Sequence, residues 1–168
     1  MEKKRIAVLG AGHMGTALIR GILASGWGKP GRLTASHPKP VKAAALRKEL
    51  GIRVLASNLE AARSADIVLL AVKPQILESV LSEIAPVISP ERMLVSIAAG
   101  FPTARIEAIV GDRVPVVRAM PNVAAVVRLS ATVLCAGRHA RAARMAEAGR
   151  SSSRSVSWSS CPSISSTP

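Results

Sequence analysis

Apolar runs and amphipathic stretches alternate along the first 120 positions. Arg5-Ile6-Ala7-Val8-Leu9 is a short apolar run, and Thr16 to Ala24 reads as a helix. Arg32-Leu33-Thr34-Ala35 predicts a second strand, and Val41 to Leu50, rich in Ala, Leu and Lys, ends at Gly51 as a helix with a glycine C-cap does. Ile67-Val68-Leu69-Leu70-Ala71-Val72 and Met93 to Ile97 are continuous apolar runs of strand length, the pattern of strands buried on both faces of a parallel sheet. Between them, Ile76, Leu77, Val80, Leu81 and Ile84 recur at helical spacing across Gln75 to Ile84. Such alternation implies right-handed β-α-β units and an α/β fold with a doubly wound, mostly parallel sheet.

The break between the first strand and the first helix is Gly10-Ala11-Gly12-His13-Met14-Gly15. Strand, G-x-G-x-x-G and helix in that order form a dinucleotide-binding fingerprint of the Rossmann type. Gly10 permits the tight turn, Gly12 lets backbone approach a pyrophosphate, and Gly15 lets the helix pack closely on the sheet. Backbone N–H groups at the helix start then face an anion.

Length and charge narrow the reading. A chain of 168 residues can bury one core and has no room for two full domains. Its net charge of +13 raises the question of nucleic acid, but the basic residues are scattered and only Phe101, Trp27 and Trp158 are available to stack on bases. Arg47, Lys48 and Arg63 fall on expected solvent faces of helices, so a basic surface that attracts an anionic small molecule is favoured over specific nucleic-acid binding. Cys135 and Cys161 lack metal-ligand spacing, and Cys135, within the apolar run Ala131 to Ala136, reads as a buried, inert thiol. No metal site is proposed. No apolar h-region precedes the first strand and no stretch approaches a membrane span, so a cytoplasmic protein is expected.

After the second strand the chain reads Ser36-His37-Pro38-Lys39. An NAD-selective site usually has an Asp or Glu here to receive the ribose 2′-hydroxyl, and none is present. Ser36, His37 and Lys39 offer a hydroxyl, an imidazole and an ammonium to a 2′-phosphate, which favours NADP and leaves NAD possible.

Three further segments follow expected strands: Ala71-Val72-Lys73-Pro74-Gln75, Ser96-Ile97-Ala98-Ala99-Gly100 and Arg118-Ala119-Met120-Pro121-Asn122. With the glycine loop they closely resemble the N-terminal domain of pyrroline-5-carboxylate reductases, continuously from residue 5 to about 122 and again over Ala131 to Ala140. The resemblance implies NADPH-dependent reduction of the C=N bond of a cyclic imine, 1-pyrroline-5-carboxylate, to proline. It implies that Leu9, Gly10, Ala11, Gly12, His13 and Met14 contact the pyrophosphate, with Gly15 completing the loop. Ser36, His37 and Lys39 would meet the 2′-phosphate and Asn58 the adenosine end, although a helix N-cap competes for Asn58. Ala71, Val72, Lys73, Pro74, Ile97, Ala98 and Ala99 would frame the nicotinamide, with Met120, Pro121 and Asn122 near the substrate. Small Ala71, Ala98 and Ala99 suit close approach of backbone to a flat ring, and Pro74 stiffens its turn. No side chain is nominated as a general acid, because the cofactor carries the reaction.

Beyond Asn122 the chain departs from the family, with Val123-Ala124 and Arg128-Leu129-Ser130 in place of its usual turn. Residues 1–140 are thus read as an NADP-binding domain. Residues 141–168 form a Ser/Arg-rich, low-complexity tail expected to be disordered. That tail stands where the family has a helical domain that forms the dimer and part of the substrate site. A premature end or a shifted reading frame after about Arg141 is the expected cause, and little turnover is expected of this chain alone. Two other classes remain open: another NADP-dependent imine or hydroxyacid reductase, and a non-catalytic NADP-binding module.

Overall fold

The computed structural model describes residues 4–121, 132–137, 140 and 156–158. Its strands and helices follow in the order β1 (Ile6–Leu9), α1 (His13–Ala24), β2 (Leu33–Ser36), α2 (Pro40–Leu50), β3 (Arg53–Leu55), α3 (Asn58–Arg63), β4 (Ile67–Leu70), α4 (Pro74–Ile84), β5 (Met93–Ser96), α5 (Thr103–Val110), β6 (Val116–Pro121), β7 (Thr132–Ala136) and β8 (Val156–Trp158). The strands lie side by side as β3-β2-β1-β4-β5-β6-β7-β8. β1 to β6 are mutually parallel, β7 runs antiparallel to β6, and β8 is parallel to β7.

The continuous apolar runs are explained by burial on both faces. Ile6 and Val8 point to one side of β1 and join Ile19, Ile22 and Leu46 from α1 and α2. Ala7 and Leu9 point to the other and join Ala61, Leu77, Leu81 and Ile106 from α3, α4 and α5. Side chains alternate along a strand, so helices on both faces leave few register positions for a polar residue. Each fully buried Leu or Ile contributes about 1.5–3 kcal/mol of apolar transfer.

Several boundaries differ from the sequence reading for physical reasons. α1 starts at His13 rather than Thr16, because the Thr16 N–H donates to the Gly12 carbonyl at 2.9 Å and draws the last residues of the glycine motif into the first turn. β4 ends at Leu70, and the RAMP segment is the carboxyl end of β6 itself rather than a loop after it. β3, α3 and α5, of 3, 6 and 8 residues, are too short to show a hydrophobic period. The expectation of a tail wholly without order is corrected at Val156–Trp158, which pairs with β7. An open strand edge supplies backbone hydrogen bonds that need no apolar periodicity in the added segment. The rest of the tail, Asn122 and the Cys135 side chain lie outside the described residues, as do Val123-Ala124 and Arg128-Leu129-Ser130.

Polar groups fasten the sheet at its amino edge. The Arg5 backbone N–H donates to Asp66 Oδ2 at 2.7 Å and its guanidinium to Oδ1 at 3.1 Å, while Asp66 and Met93 N–H groups extend the ladder to Arg5 and Asp66 carbonyls. The Arg92 guanidinium donates to the Ala62 and Arg63 carbonyls at the end of α3, satisfying acceptors that a helix terminus leaves open. Arg47, Lys48 and Arg63 are exposed as expected, although Arg47 also donates to the Val54 carbonyl.

Burial alone would raise the Asp66 carboxyl. The hydrogen bonds from the Arg5 side chain and backbone, with its charge, outweigh that and hold the group below the ordinary carboxylate range. A folded-state value below the unfolded one contributes stability above roughly pH 4 that is lost as pH falls through the folded value. Asp66→Asn is therefore expected to lower the melting temperature near neutral pH. The gap from the parent should narrow between about pH 6 and about pH 3, as thermal melts across that range would record.

Candidate functional site

β1 and β4 are neighbours whose following helices leave to opposite faces, which makes their carboxyl ends the topological switch point of the sheet. Three loops meet there: the glycine loop after β1, Ser36 to Lys39 after β2, and Ala71 to Lys73 after β4.

Backbone fills the space beneath the glycine loop. Gly10 has φ +89, and a Cβ on it would lie 2.6 Å from Val72 Cγ1 and 3.1 Å from the Ala71 carbonyl oxygen. A Cβ on Gly15 would collide with the Gly10 carbonyl, and it would come within 3.4 Å of the Ala71 methyl. Gly12 differs: its φ is −76, ψ is −159, and nothing lies within 4 Å of its Cβ position. Neither its backbone conformation nor its neighbours in the chain require glycine. The space above it is a cradle that a side chain would begin to fill.

Beside that cradle, between α1 and α2, lies an open cleft of about 290 Å³ whose lining includes Gly12, His13, Arg20, His37, Lys42 and Glu49. Arg20 donates to Glu49 at 3.0 Å, so one cation of the group is paired. His37 accepts the Lys39 backbone N–H on Nδ1 at 3.0 Å. Its neutral ring then carries the proton on Nε2, which is a donor. Lys42 adds an ammonium from the first turn of α2. An anion entering this cleft meets cations and an N–H donor.

The expected site residues separate into three groups. Ala11, Gly12, His13 and Met14 form the loop at the start of α1, and His37 lines the cleft with them. Leu9 and Ser36 lie beneath the loop. Leu9 is fully buried with its carbonyl engaged by the Ala71 N–H at 2.8 Å. Ser36 is 2% exposed, and its Oγ accepts the Gly10 N–H at 3.1 Å while its hydroxyl donates to Asn58 Oδ1 at 2.6 Å. Asn58 is not the cap of α3: Ser57 is, accepting the Glu60 N–H. Lys39 is the residue before α2 and does not line the cleft, whereas Lys42, one helical turn on, does. Sequence spacing missed Lys42 and Arg20 because only the packing of α1 beside α2 brings them to the glycine loop. A basic residue at a helix start within a turn of β2 was the available signal for Lys42.

On the other side of the switch point, Ala71 and Val72 flank the glycine loop, Lys73 precedes α4, and Pro74 opens it. Ile97 continues β5, with its N–H on the Leu70 carbonyl at 3.2 Å, Ala98 is buried, and Ala99 is exposed. Ser96 pairs in register with Arg118, whose Nε is buried without a hydrogen-bond partner among the described residues. Met120 and Pro121 end β6. No helix among the described residues is long and apolar enough to cross a membrane.

The model of a family described as NADP oxidoreductase, coenzyme F420-dependent, matches residues 5–100. A pyrroline-5-carboxylate reductase of Pseudomonas aeruginosa is 44% identical over 136 residues, covering 81% of this chain and 50% of the relative. That of Escherichia coli is 42% identical over 132 residues, covering 79% and 49%. A crystal structure of Plasmodium falciparum pyrroline carboxylate reductase with NADP bound matches with a TM-score of 0.82 at 29% identity, covering 94% of this chain and 58% of that one. The chain spans about half the length of the curated relatives it matches.

The glycines offer a direct stability contrast. Gly15→Ala is expected to destabilise by about 1–3 kcal/mol, because a methyl must displace the Gly10 carbonyl. Gly12→Ala should leave stability within about 0.5 kcal/mol, since its Cβ meets open space at an ordinary φ. Urea unfolding of the two variants checks the difference.

Proposed function

The chain belongs to the NADP oxidoreductase, coenzyme F420-dependent, family, and from that membership we propose that it is the dinucleotide-binding part of a pyrroline-5-carboxylate reductase, using NADPH to reduce a cyclic imine to proline. The observation that carries the reading is the open cradle at Gly12, a glycine at a position where the fold has no need of one. The P. aeruginosa relative and the NADP-bound neighbour support the choice of activity and cofactor.

The donor set of the site fits that cofactor. The N–H groups at the start of α1, just past the internally bonded amides of Gly10, Ala11 and Gly12, suit a pyrophosphate. His37 Nε2–H, Lys42 and His13 suit the 2′-phosphate, with Arg20 adding charge although Glu49 shares it. Among the β2-end residues named for that phosphate, His37 and, in place of Lys39, Lys42 carry the role. Ala71 to Pro74 and Ile97 to Ala99 would flank the nicotinamide end, with Met120 and Pro121, the last residues of β6, on the substrate side.

A reduced nicotinamide held there would supply a hydride to the imine carbon, the imine nitrogen taking its proton from solvent as the C=N bond becomes CH–NH. The work of this chain is orientation. The Gly10–Gly15 contact and the Ala71–Val72 wall restrict the loop, so the N–H groups at the start of α1 are aimed before a ligand arrives. Little rearrangement is then needed to hold the ring at the sheet edge, and effective positioning of this kind governs much of the rate in such transfers.

NADPH should bind more tightly than NADH. Lys42→Glu is expected to weaken NADPH about tenfold, or 1.4 kcal/mol, with less effect on NADH, and Lys39→Glu to do much less. Fluorescence titration of both nucleotides decides it, and equal losses for Lys39→Glu and Lys42→Glu would shift the phosphate site to the β2 loop.

Imine reduction is checked by following NADPH absorbance with and without pyrroline-5-carboxylate. The described residues supply one side of a substrate site, so imine-dependent oxidation on the order of 100-fold below that of a full-length relative is expected. NADPH binding with no imine-dependent oxidation favours the non-catalytic module, and oxidation only with a keto acid favours a different reductase.

A further inference from the structure

Beneath the glycine loop a line of hydrogen bonds crosses the carboxyl edge of the sheet. Glu83, near the end of α4, accepts Asn58 Nδ2–H at 2.8 Å and the Leu59 backbone N–H at 3.3 Å. Asn58 Oδ1 accepts the Ser36 hydroxyl at 2.6 Å, and Ser36 Oγ accepts the Gly10 N–H at 3.1 Å. The Ser36 carbonyl also accepts the Ala11 N–H at 2.9 Å, so two successive loop amides hang on one buried serine.

The line has a direction, and Glu83 imposes it. A carboxylate only accepts, so the Asn58 amide must turn its Nδ2 toward Glu83 and its Oδ1 toward Ser36. Ser36 must then spend its one proton on Asn58, which leaves an oxygen lone pair facing the Gly10 N–H. With Asn58 reversed, Nδ2 would donate to Ser36, and the hydroxyl proton would compete for the same crowded space beside Gly10. We propose that Glu83 is a positioning residue: it sets the polarity of the Glu83–Asn58–Ser36–Gly10 line and so fixes the glycine loop in its ligand-ready conformation. It reaches the loop through Asn58 and Ser36, from an exposed position on a helix that does not carry the loop, while its other oxygen holds the Leu59 N–H at the start of α3. Its consequence for NADPH rests on the function proposed above; its effect on Gly10 does not.

The test uses the full 168-residue chain with Glu83→Gln, Glu83→Ala and Glu83→Lys, read by amide exchange at Gly10 without ligand and by NADPH titration. The Gln side chain keeps one acceptor oxygen for Asn58 Nδ2, giving up only the longer bond from Leu59, and should stay within about twofold of the parent in both readouts. Lys can only donate, which reverses the line; it should speed Gly10 exchange and raise the NADPH Kd about five- to tenfold, with Ala between. The added positive charge of Lys would by itself favour an anionic ligand, so weaker binding cannot come from charge alone. Combining Ser36→Ala with Glu83→Lys should cost no more than the worse single change, because both act on one line. Gly10 exchange unaffected by Lys, or Gln as damaging as Lys, would overturn the proposal. If the Lys variant does not fold, the Gln and Ala pair decides it by the same ordering. Exchange that follows the order with no NADPH binding by the parent would support the line and sink the cofactor reading instead.

Discussion

Everything at the carboxyl edge depends on a backbone-to-backbone contact: the Gly10 carbonyl seated where a side chain on Gly15 would have to be. It lets the first turn of α1 sit directly on the end of β1, and it turns Gly10 into the left-handed region against the Ala71 carbonyl and Val72. Close-packed interiors do not yield continuously, so this contact fixes where α1 starts above β1.

A polar layer lies directly beneath this steric one. Ser36 ends β2, and its burial is tolerated because both its hydrogen-bonding functions are met by Gly10 and Asn58. That places one hydroxyl between two loops and a helix. The cost of burying it is offset by the order it imposes on Gly10 and Ala11, whose N–H groups it engages and which lead into the start of α1. The cationic cleft beside it is looser, made of exposed side chains whose charges act over several ångströms, and it distinguishes ligands by charge more than by shape.

The two halves of the sheet edge are unlike. On the β1–β2 side, histidine, lysine and arginine side chains surround a cleft suited to phosphate. On the β4–β6 side, small residues at Ala71, Ala98 and Ala99 give way to Arg118, whose buried Nε lacks a partner among the described residues. One end carries charged side chains, and the other small ones. A dinucleotide with a charged adenosine end and a planar reactive ring matches both.

The sequence by itself determined the α/β class, the strands β1, β2, β4 and β5, and the glycine loop, because burial on both faces of a parallel sheet writes uninterrupted apolar runs and a backbone collision writes glycine. It also pointed to His37 and to the Ala71 and Ile97 segments, since residues that end strands stand at the ligand edge wherever strands are parallel. It could not tell contact from support. Ser36, Lys39 and Asn58 look alike as polar residues near strand ends, yet Ser36 faces inward, Lys39 stands off the cleft, and Asn58 bridges to a helix 25 residues away. Lys42, Arg20 and Glu83 acquire their roles only from the way α1 lies beside α2 and α3 beside α4. Only the tertiary structure decided those roles, because a hydrogen bond depends on direction and on which neighbour arrives, and neither is encoded at the position of the residue that makes it.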